Sequence, residues 1–379
     1  MRAPVDAADR LARLRLIRSE NVGPITFREL IRHFGNATAA LEALPGLAAR
    51  GGKRKITICT KAKAEDEIAT LAKLGGRHVF QGEKAYPVAL AAVEDAPPVL
   101  LLVGHAHLLE RQAVAVVGAR NASTNGRRLA RDIAAGLAEA GVLVVSGLAR
   151  GIDAAVHEGA LAGGTAAIVA GGPDVIYPEE NRALHGSIRE QGAILAESAP
   201  GLVPQARHFP RRNRIISGMA LGTVVVEAAI RSGSLITARL ANEQGREVMA
   251  IPGSPLDPRC RGTNDLIRKG ATLVESAADV LAAIEAMRGT GPAEPAGGDF
   301  RASDEAASQD ESLLDSARRR VIEALGPAPA PVDSIIRDLR LPAQLVWTVL
   351  LELELAGRLE RQPGNMAALL VEASSGRDD

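Results

Sequence analysis

Short runs of Val, Ile and Ala alternate with helix-length amphipathic stretches between residues 111 and 288. Continuous apolar runs of strand length are typical of parallel strands that helices cover on both faces. The alternation therefore predicts a doubly wound α/β domain, in which ligands bind beyond the carboxyl ends of the strands. The predicted strands are Ala113–Val117, Val142–Ser146, Ala166–Ala170, Ala193–Ala196, Thr223–Glu227, Glu247–Ile251 and Thr272–Val274.

The segments on either side of this domain have other patterns. Residues 9–75 predict a small helical domain of the helix-hairpin kind, with a turn at the sequence ALPGL, residues 43–47. Residues 76–110 contain the apolar run Val99–Val103, which predicts an extra strand of the sheet. Residues 316–371 contain three helical patterns followed by two short strand patterns around a Pro-Gly-Asn turn. That order is typical of a winged helix.

Residues 289–315 have the composition of a linker. They are rich in Gly, Pro, Ala and Ser, which predicts a disordered segment. They contain seven acidic residues and one arginine, whereas the whole chain has 45 acidic and 45 basic residues, so the remainder carries a net positive charge. The expected domains are therefore residues 1–75, 76–288 and 316–379, and we expect the tail of the last one to be disordered.

Arginine dominates the basic residues, because only seven of the 45 are lysine. Its planar guanidinium group donates forked hydrogen bonds that suit phosphate. The two cysteines, Cys59 and Cys260, lie far apart and have no disulfide or metal-site spacing. The sequence has no signal-peptide pattern and no apolar run of about 20 residues, the length that spans a membrane. We therefore expect a cytoplasmic protein that does not enter a membrane.

Loops rich in Gly, Ser and Arg follow five of the predicted strands. A glycine at a strand end lets backbone N–H groups approach an anion, and the next helix N-terminus adds partial positive charge. Each loop taken alone is also explained by a tight turn or a helix cap, and Asp153 is interpreted as an N-cap. Together the loops predict an anion-binding edge of the sheet. The candidate residues are Gly118, Arg120, Ser123, Ser146, Gly147, Gly151, Tyr177, Ser234 and Thr237.

The segment from His208 to Gly218 is the most basic part of the domain. Four arginines and no acidic residue lie between Glu197 and Glu227. Positive charge without compensating carboxylates suits a polyanion, and Pro210 favours the start of a helix. We expect this segment to contact the ligand through Phe209, Arg211, Asn213 and Arg214.

Several common catalytic patterns are absent from the sequence. It contains no GxxxxGK[ST] loop of the kind that binds nucleoside triphosphates. Neither a GxGxxG dinucleotide motif after a strand nor a serine paired by motif with a base is present. The seven histidines are scattered. We therefore expect no catalytic residues, no metal site and no cofactor.

In combination these motifs resemble the bacterial DNA-processing protein A family, also called DprA or Smf. The resemblance covers the α/β domain in the expected order, and the set of motifs is highly specific. The matching stretches are VGARNAS (117–123), SGLARGID (146–153), GGPDVIYPEEN (171–181), FPRRNRIISG (209–218), SGSLITARLANEQGREVMAIPG (232–253) and GTNDLIRKGA (262–271).

The resemblance implies an extended Rossmann-like domain flanked by a helical domain and a winged helix. It also implies a single-stranded DNA-binding protein, not an enzyme, that protects incoming DNA and loads the RecA recombinase during natural transformation. Members of the family are homodimers formed through the Rossmann-like domain. On this chain the first pocket loop is matched by Gly118, Arg120 and Ser123, and the basic loop by Phe209, Arg211, Asn213 and Arg214.

The sequence departs from the family at Asn125, where an aromatic residue is frequent, and at Pro173 and Ala199–Pro200. Only Tyr177 and Phe209 are aromatic between residues 111 and 288, so phosphate contacts must supply most of the affinity. The predicted recognition helix, Pro342–Ala356, has no Lys or Arg and therefore favours binding to protein over DNA.

Two other functions remain open on the sequence. One is a nucleotide-binding hydrolase of the phosphoribohydrolase type, for which Gly222, Thr223 and the strand-end Glu227 would have to form the catalytic loop. The other is a transcription regulator that reads duplex DNA with its winged helix. Release of a free base would distinguish the first, and a duplex sequence preference the second.

Overall fold

The computed structural model describes residues 6–53, 55–290, 311–362 and 364–370. It consists of two compact units, one within residues 66–294 and one that combines residues 5–65 with residues 295–379. The helices are α1 (Ala7–Ile17), α2 (Pro24–Phe34), α3 (Ala37–Arg50), α4 (Lys61–Lys73), α5 (Val88–Ala91), α6 (Thr124–Glu139), α7 (Ile152–Ala160), α8 (Arg182–Gln191), α9 (His208–Met219), α10 (Gly233–Glu243), α11 (Arg261–Arg268), α12 (Ala277–Thr290), α13 (Glu311–Ala324), α14 (Val332–Leu339) and α15 (Ala343–Leu355).

The first unit contains a nine-stranded sheet. Its strands are β1 (Gly76–Phe80), β2 (Val99–Gly104), β3 (Ala113–Gly118), β4 (Leu143–Ser146), β5 (Thr165–Val169), β6 (Ala193–Ala196), β7 (Gly222–Val226), β8 (Glu247–Ala250) and β9 (Thr272–Leu273). Their spatial order is β1-β2-β6-β5-β4-β3-β7-β8-β9. The pairs β1–β2 and β2–β6 are antiparallel and all the others are parallel.

Both faces of the sheet are covered by helices, which explains the continuous apolar runs. One face packs against α5, α9 and α10, with Leu90, Ile215 and Met219 in the core. The other face packs against α6, α7 and α12, with Ile133 and Val156 in the core. The α/β prediction is confirmed, and each of the seven predicted strands agrees with the structure to within one residue at either end.

The strand order reverses beside β3. The chain runs outward from β3 through β4, β5 and β6, and then returns through α9 to β7 on the other side of β3. A reversal of this kind leaves a crevice beyond the carboxyl ends of the strands, because the connection from β3 to β4 and the connection from β6 to β7 run to opposite sides of β3. The loops rich in Gly, Ser and Arg end at this edge.

The second unit contains helices α1–α3 and the winged helix. The latter consists of α13, α14 and α15 with the antiparallel strands β10 (Ala330–Pro331), β11 (Leu359–Gln362) and β12 (Met366–Leu369). The three helices and the hairpin were predicted correctly. Pro363, part of the predicted turn, lies outside the described residues, as does the tail from residue 371.

Two predictions of element boundaries need correction. The predicted turn at residues 43–47 is wrong, because α3 continues through Pro45. Proline removes one helical hydrogen bond, and the complete burial of Leu44 and Leu47 offsets that loss. The predicted linker is too long at both ends, since α12 includes residue 290 and α13 begins at Glu311. Residues 291–310 of the linker lie outside the described residues.

Candidate nucleic-acid interface

A cavity of about 350 Å³ opens beyond the carboxyl ends of β4 and β5. Two aromatic residues, Tyr177 and Phe209, line it together with Pro178 and Pro204. The ring centroids of Tyr177 and Phe209 are 5.5 Å apart, and half of Tyr177 is exposed (50%). Their planes are inclined to each other by 55°, and unpaired bases stack on aromatic ring faces of this kind.

A second cavity of about 640 Å³ adjoins the first, beyond the ends of β3 and β7. Phe209 and Arg212 line both cavities, as do Arg120 and Asn121. The second cavity also contains the N-terminus of α10, where Ser232 is the N-cap and its side chain accepts a hydrogen bond from the Ser234 backbone N–H. The two cavities therefore join an aromatic surface to a surface of cations and N–H donors.

Arg120 is the exposed cation between the two cavities. Its guanidinium carbon lies 5.4 Å from the centroid of the Phe209 ring, within the range of a cation–π contact. Among the described residues Arg120 has no carboxylate within 4.0 Å, so its charge remains available to a ligand. The contact with Phe209 orients the guanidinium, because the planar group packs against the ring.

Arg212 is the buried cation of the site, with only 6% of its surface exposed. One Nη1–H group donates a hydrogen bond of 2.8 Å to the Ile168 carbonyl. Burial lowers the pKa of Arg212 to about 10, and the neighbouring Asp153 partly opposes that shift. Burial likewise raises the pKa of Asp153, and Arg212 limits that rise.

Gly147 makes room for this arginine. A Cβ atom at position 147 would lie 1.7 Å from the Arg212 Nη1 atom. Any larger residue would displace the buried guanidinium, which explains the glycine at the end of β4. Gly118 has a similar role, since a Cβ atom at that position would lie 1.9 Å from the Val226 carbonyl oxygen. Both glycines are needed for close packing at the edge of the sheet.

The basic loop divides into residues that line the cavities and residues that do not. Phe209 and Asn213 line the second cavity, and Arg211 is exposed in the first turn of α9. Arg214 is directed elsewhere. It is buried and forms ion pairs with Glu197 (2.5 Å) and Asp95 (3.6 Å). The sequence interpretation of four uncompensated arginines is therefore wrong for Arg214, because its partners lie outside the loop.

Two of the predicted serines are occupied by structural hydrogen bonds. Ser123 is the N-cap of α6, and its hydroxyl and backbone N–H both donate to the Glu227 carboxylate. The buried Ser146 hydroxyl donates to the Val116 carbonyl at 2.7 Å. Neither serine lines the two cavities. Glu227 also lies against Gly126, where a Cβ atom would come within 2.6 Å of the carboxylate.

Of the remaining predicted residues, Ser234 and Thr237 line the second cavity. Gly151 lies outside both cavities and is the N-cap of α7, with φ of 76°. Asp153 is therefore not the N-cap as interpreted from the sequence. It lies in the first turn, and its carboxylate accepts a hydrogen bond from the Ala149 backbone N–H at 3.2 Å.

The sequence interpretation missed residues that line the cavities. Arg212 was not selected because its neighbours have the same charge, and only burial distinguishes it. The other cavity residues without a sequence prediction include Asn121, Arg150, Arg231, Ser232 and Arg259. Within the described ranges no group of three His, Cys, Asp or Glu residues could hold a metal ion. No described helix is long and apolar enough to cross a membrane.

Comparison with family models matches three segments of the chain. A model described as DNA recombination-mediator protein A matches residues 77–285. A model of the DprA-like N-terminal HHH domain matches residues 7–70, and one of the DprA winged helix domain matches residues 305–365. The three segments correspond to the sheet unit, the N-terminal helices and the winged helix.

Individual proteins are similar over most of the chain. Protein Smf of Escherichia coli is 38% identical over 327 residues, which is 86% of this chain and 85% of that protein. A putative DNA processing protein DprA of Mycobacterium tuberculosis is 36% identical and covers 97% of this chain and 88% of its own length.

Two solved structures resemble this one. That of DNA processing protein A from Streptococcus pneumoniae has a TM-score of 0.61 at 36% identity, covering 74% of this chain and 98% of that one. That of DNA processing protein A from Helicobacter pylori was solved to describe its single-stranded DNA binding mode. It has a TM-score of 0.51 at 27% identity and covers 55% of this chain and 96% of that one.

Proposed function

The chain belongs to the DNA recombination-mediator protein A family, and from this premise we propose that it binds single-stranded DNA in the two joined cavities. The observation that carries the proposal is the exposed Arg120 against the Phe209 ring, beside the buried cation Arg212. Bases stack on Tyr177 and Phe209, while phosphates lie against the arginines and the N-terminus of α10.

The arrangement favours a single strand over a duplex. The aromatic residues line a cavity, so only bases that are unstacked and unpaired reach their faces. Two rings supply little stacking, at about 1–3 kcal/mol per base. Most of the affinity must therefore come from phosphates, which makes binding strongly dependent on salt and nearly independent of sequence.

We also propose the more specific functions that membership of the family implies. The chain protects incoming single strands in the cytoplasm and loads the RecA recombinase onto them during natural transformation. It acts as a homodimer formed through the Rossmann-like unit. It uses no cofactor and catalyses no reaction. These statements rest on the family alone.

A hydrolase is the weaker candidate. The Glu227 carboxylate would have to act on a nucleotide, yet it accepts hydrogen bonds from both the backbone N–H and the hydroxyl of Ser123. It therefore has the contacts of a carboxylate that holds the first loop in place. No observation in the site favours base release over strand binding.

Fluorescence anisotropy with labelled oligo-dT and a matching duplex tests the proposed function. We expect tighter binding to the single strand, with an affinity that falls steeply between low and moderate salt. Arg120→Ala should weaken the single-strand binding, and Arg128→Ala is the matched control, because Arg128 is 82% exposed and lies outside both cavities. Equal affinity for both DNAs, or no dependence on salt, would reject the proposal.

A further inference from the structure

The last helix of the winged helix, α15, occupies the position of a recognition helix but is covered by protein. Its buried residues include Leu351 and Leu355, which belong to the same apolar cluster as Leu30, Leu44 and Leu47 of α2 and α3. Only the first residues of α15, such as Ala343 and Gln344, are exposed. A helix covered in this way has no free face to place in a DNA groove.

A shared ion cluster joins the two modules at this surface. The Glu352 carboxylate is fully buried, with 0% of the side chain exposed. One oxygen accepts from Arg50 Nε at 2.6 Å, and the other accepts from Arg318 Nη2 at 2.8 Å. Arg50 ends α3 of the helical domain, whereas Arg318 lies on α13 of the winged helix. The single carboxylate therefore forms an ion pair with one cation from each module.

Backbone groups also meet across this surface. Gly51 follows α3, and a Cβ atom at that position would lie only 2.0 Å from the Glu352 carbonyl oxygen. The Asn21 side-chain amide donates to the Leu355 carbonyl at 3.0 Å, and the Arg358 Nη1 donates to the Gly51 carbonyl at 3.3 Å. Contacts of this closeness require one fixed arrangement of the two backbones.

Trp347 marks the other end of the contact. It is the only tryptophan in the chain. The guanidinium of Arg361, in the winged helix, lies 4.8 Å from its ring centroid, and that of Arg32, in α2, lies at 6.0 Å. The tryptophan thus touches both modules, and its fluorescence reports on their contact.

We propose that the partner of the winged helix is the N-terminal helical domain of the same chain, bound through α15, and that this module does not read duplex DNA. The apolar cluster, the shared carboxylate and the backbone contacts are all specific to this pair of surfaces. The absence of Lys and Arg from α15 fits the same role, since a groove lined by phosphates would need them. The proposal does not depend on the single-strand site.

A larger side chain at position 51 tests the proposal in the full-length protein. Gly51 has φ of −71°, so a side chain there causes no backbone strain, and the three atoms nearest to its Cβ atom would belong to Glu352 and Ala356. Gly51→Val should separate the modules. We expect the Trp347 emission to move to longer wavelength and its quenching by acrylamide to increase at least twofold, with the circular dichroism of helix unchanged. Gly46→Ala, whose nearest contact is Arg50 at 3.7 Å, is the control.

Arg50→Glu is the second variant, in case Gly51→Val prevents folding. It places a like charge beside the buried Glu352 without entering the core of either module, because 44% of the Arg50 side chain is exposed. The same change in Trp347 fluorescence is expected. Unchanged fluorescence in folded protein of either variant would overturn the docking. A gel shift of duplex DNA that either variant strengthens tenfold would overturn the claim that the winged helix does not read DNA.

Discussion

The arginines of the two units are used in opposite ways. In the second unit, Arg50 and Arg318 both bind the buried Glu352. At the cavities of the sheet unit, Arg120 contacts an aromatic ring and no carboxylate within the described chain. A guanidinium already neutralised by a buried acid holds protein modules together, whereas one without such an acid is available to phosphate. Accessible charge, not the number of arginines, is therefore the basis on which we propose the binding surface.

The same difference exists within one turn of α9. Arg212 lines the cavities and has no acidic hydrogen-bond partner among the residues that the structure describes, although Asp153 lies close enough to affect its pKa. Arg214 is bound by Glu197 and Asp95 on the sheet. The two residues have the same chemistry and are two positions apart, yet only the first is in a place to influence a ligand. Each of the changes below tests this distinction.

The largest effect is expected for Arg214→Ala. Removal of this cation leaves two carboxylates, Glu197 and Asp95, partly buried without their partner. We expect the free energy of unfolding in urea to fall by about 3–5 kcal/mol. Arg211→Ala, at an exposed position, should change it by less than about 0.5 kcal/mol. Loss of DNA binding by Arg214→Ala with unchanged stability would show that the assignment is reversed.

The second-largest effect is expected in the pH dependence of the free energy of unfolding, through His157, whose pKa the charge of Arg212 affects. Burial lowers the pKa of His157 to about 3, and the Arg212 charge contributes to the decrease. The unfolded chain, with a pKa of about 6.5, binds this proton first as the pH falls. The contribution of His157 to stability is therefore complete above about pH 6.5 and is lost toward pH 3, at up to about 1.4 kcal/mol per pH unit.

Urea unfolding at pH 7, 6 and 5 measures this contribution. His157→Leu removes the titrating group, so its free energy of unfolding should fall less with acid than that of the wild type. Parallel pH profiles for the two proteins would mean that His157 is not buried in its neutral form and that the surroundings of Arg212 are wetter than described.

Gly147→Ala tests whether the buried cation needs the empty space beside it. The added methyl group would overlap the Arg212 guanidinium, which must then move. We expect a loss of about 1–3 kcal/mol in stability together with weaker binding of oligo-dT. Gly186→Ala is the control, since a Cβ atom there would have no neighbour within 4 Å. Unaltered binding by the Gly147 variant would remove Arg212 from the site.

The smallest free-energy change is expected for Arg120→Ala, and it should appear in binding alone. Loss of one phosphate contact and of the contact with Phe209 should weaken oligo-dT binding about tenfold, or about 1.4 kcal/mol. The slope of log K against log salt should decrease by about 0.7. Thermal unfolding should stay the same. A fall in melting temperature without a change in affinity would make Arg120 a structural residue.

The sequence predicted the sheet better than the site. The strands were found to within one residue, because burial on both faces leaves a local apolar pattern. Arg120, Gly147 and Phe209, which the sequence selected, line the first cavity, because loops at strand ends are local features. The roles of Arg212 and Arg214 could not be predicted, because they depend on contacts with residues as distant in sequence as Asp95.

The contact between the winged helix and the helical domain could not be predicted from the sequence for the same reason. Arg50 and Glu352 are 302 positions apart, and nothing in either local pattern indicates the other. The sequence did indicate that α15 lacks the cations for DNA. The sequence therefore argued against DNA binding by this helix without identifying the surface against which it packs.

Photo-cross-linking shows which aromatic residues lie beside a bound single strand. A 5-iodo-deoxyuridine oligonucleotide forms covalent links to nearby aromatic side chains, and mass spectrometry of the digested protein identifies the linked peptide. We expect adducts on the peptides that contain Tyr177 and Phe209, which line the first cavity, and their loss in Arg120→Ala. Adducts concentrated on the peptide of Trp347 would place the strand on the winged helix and would reject binding in the two cavities.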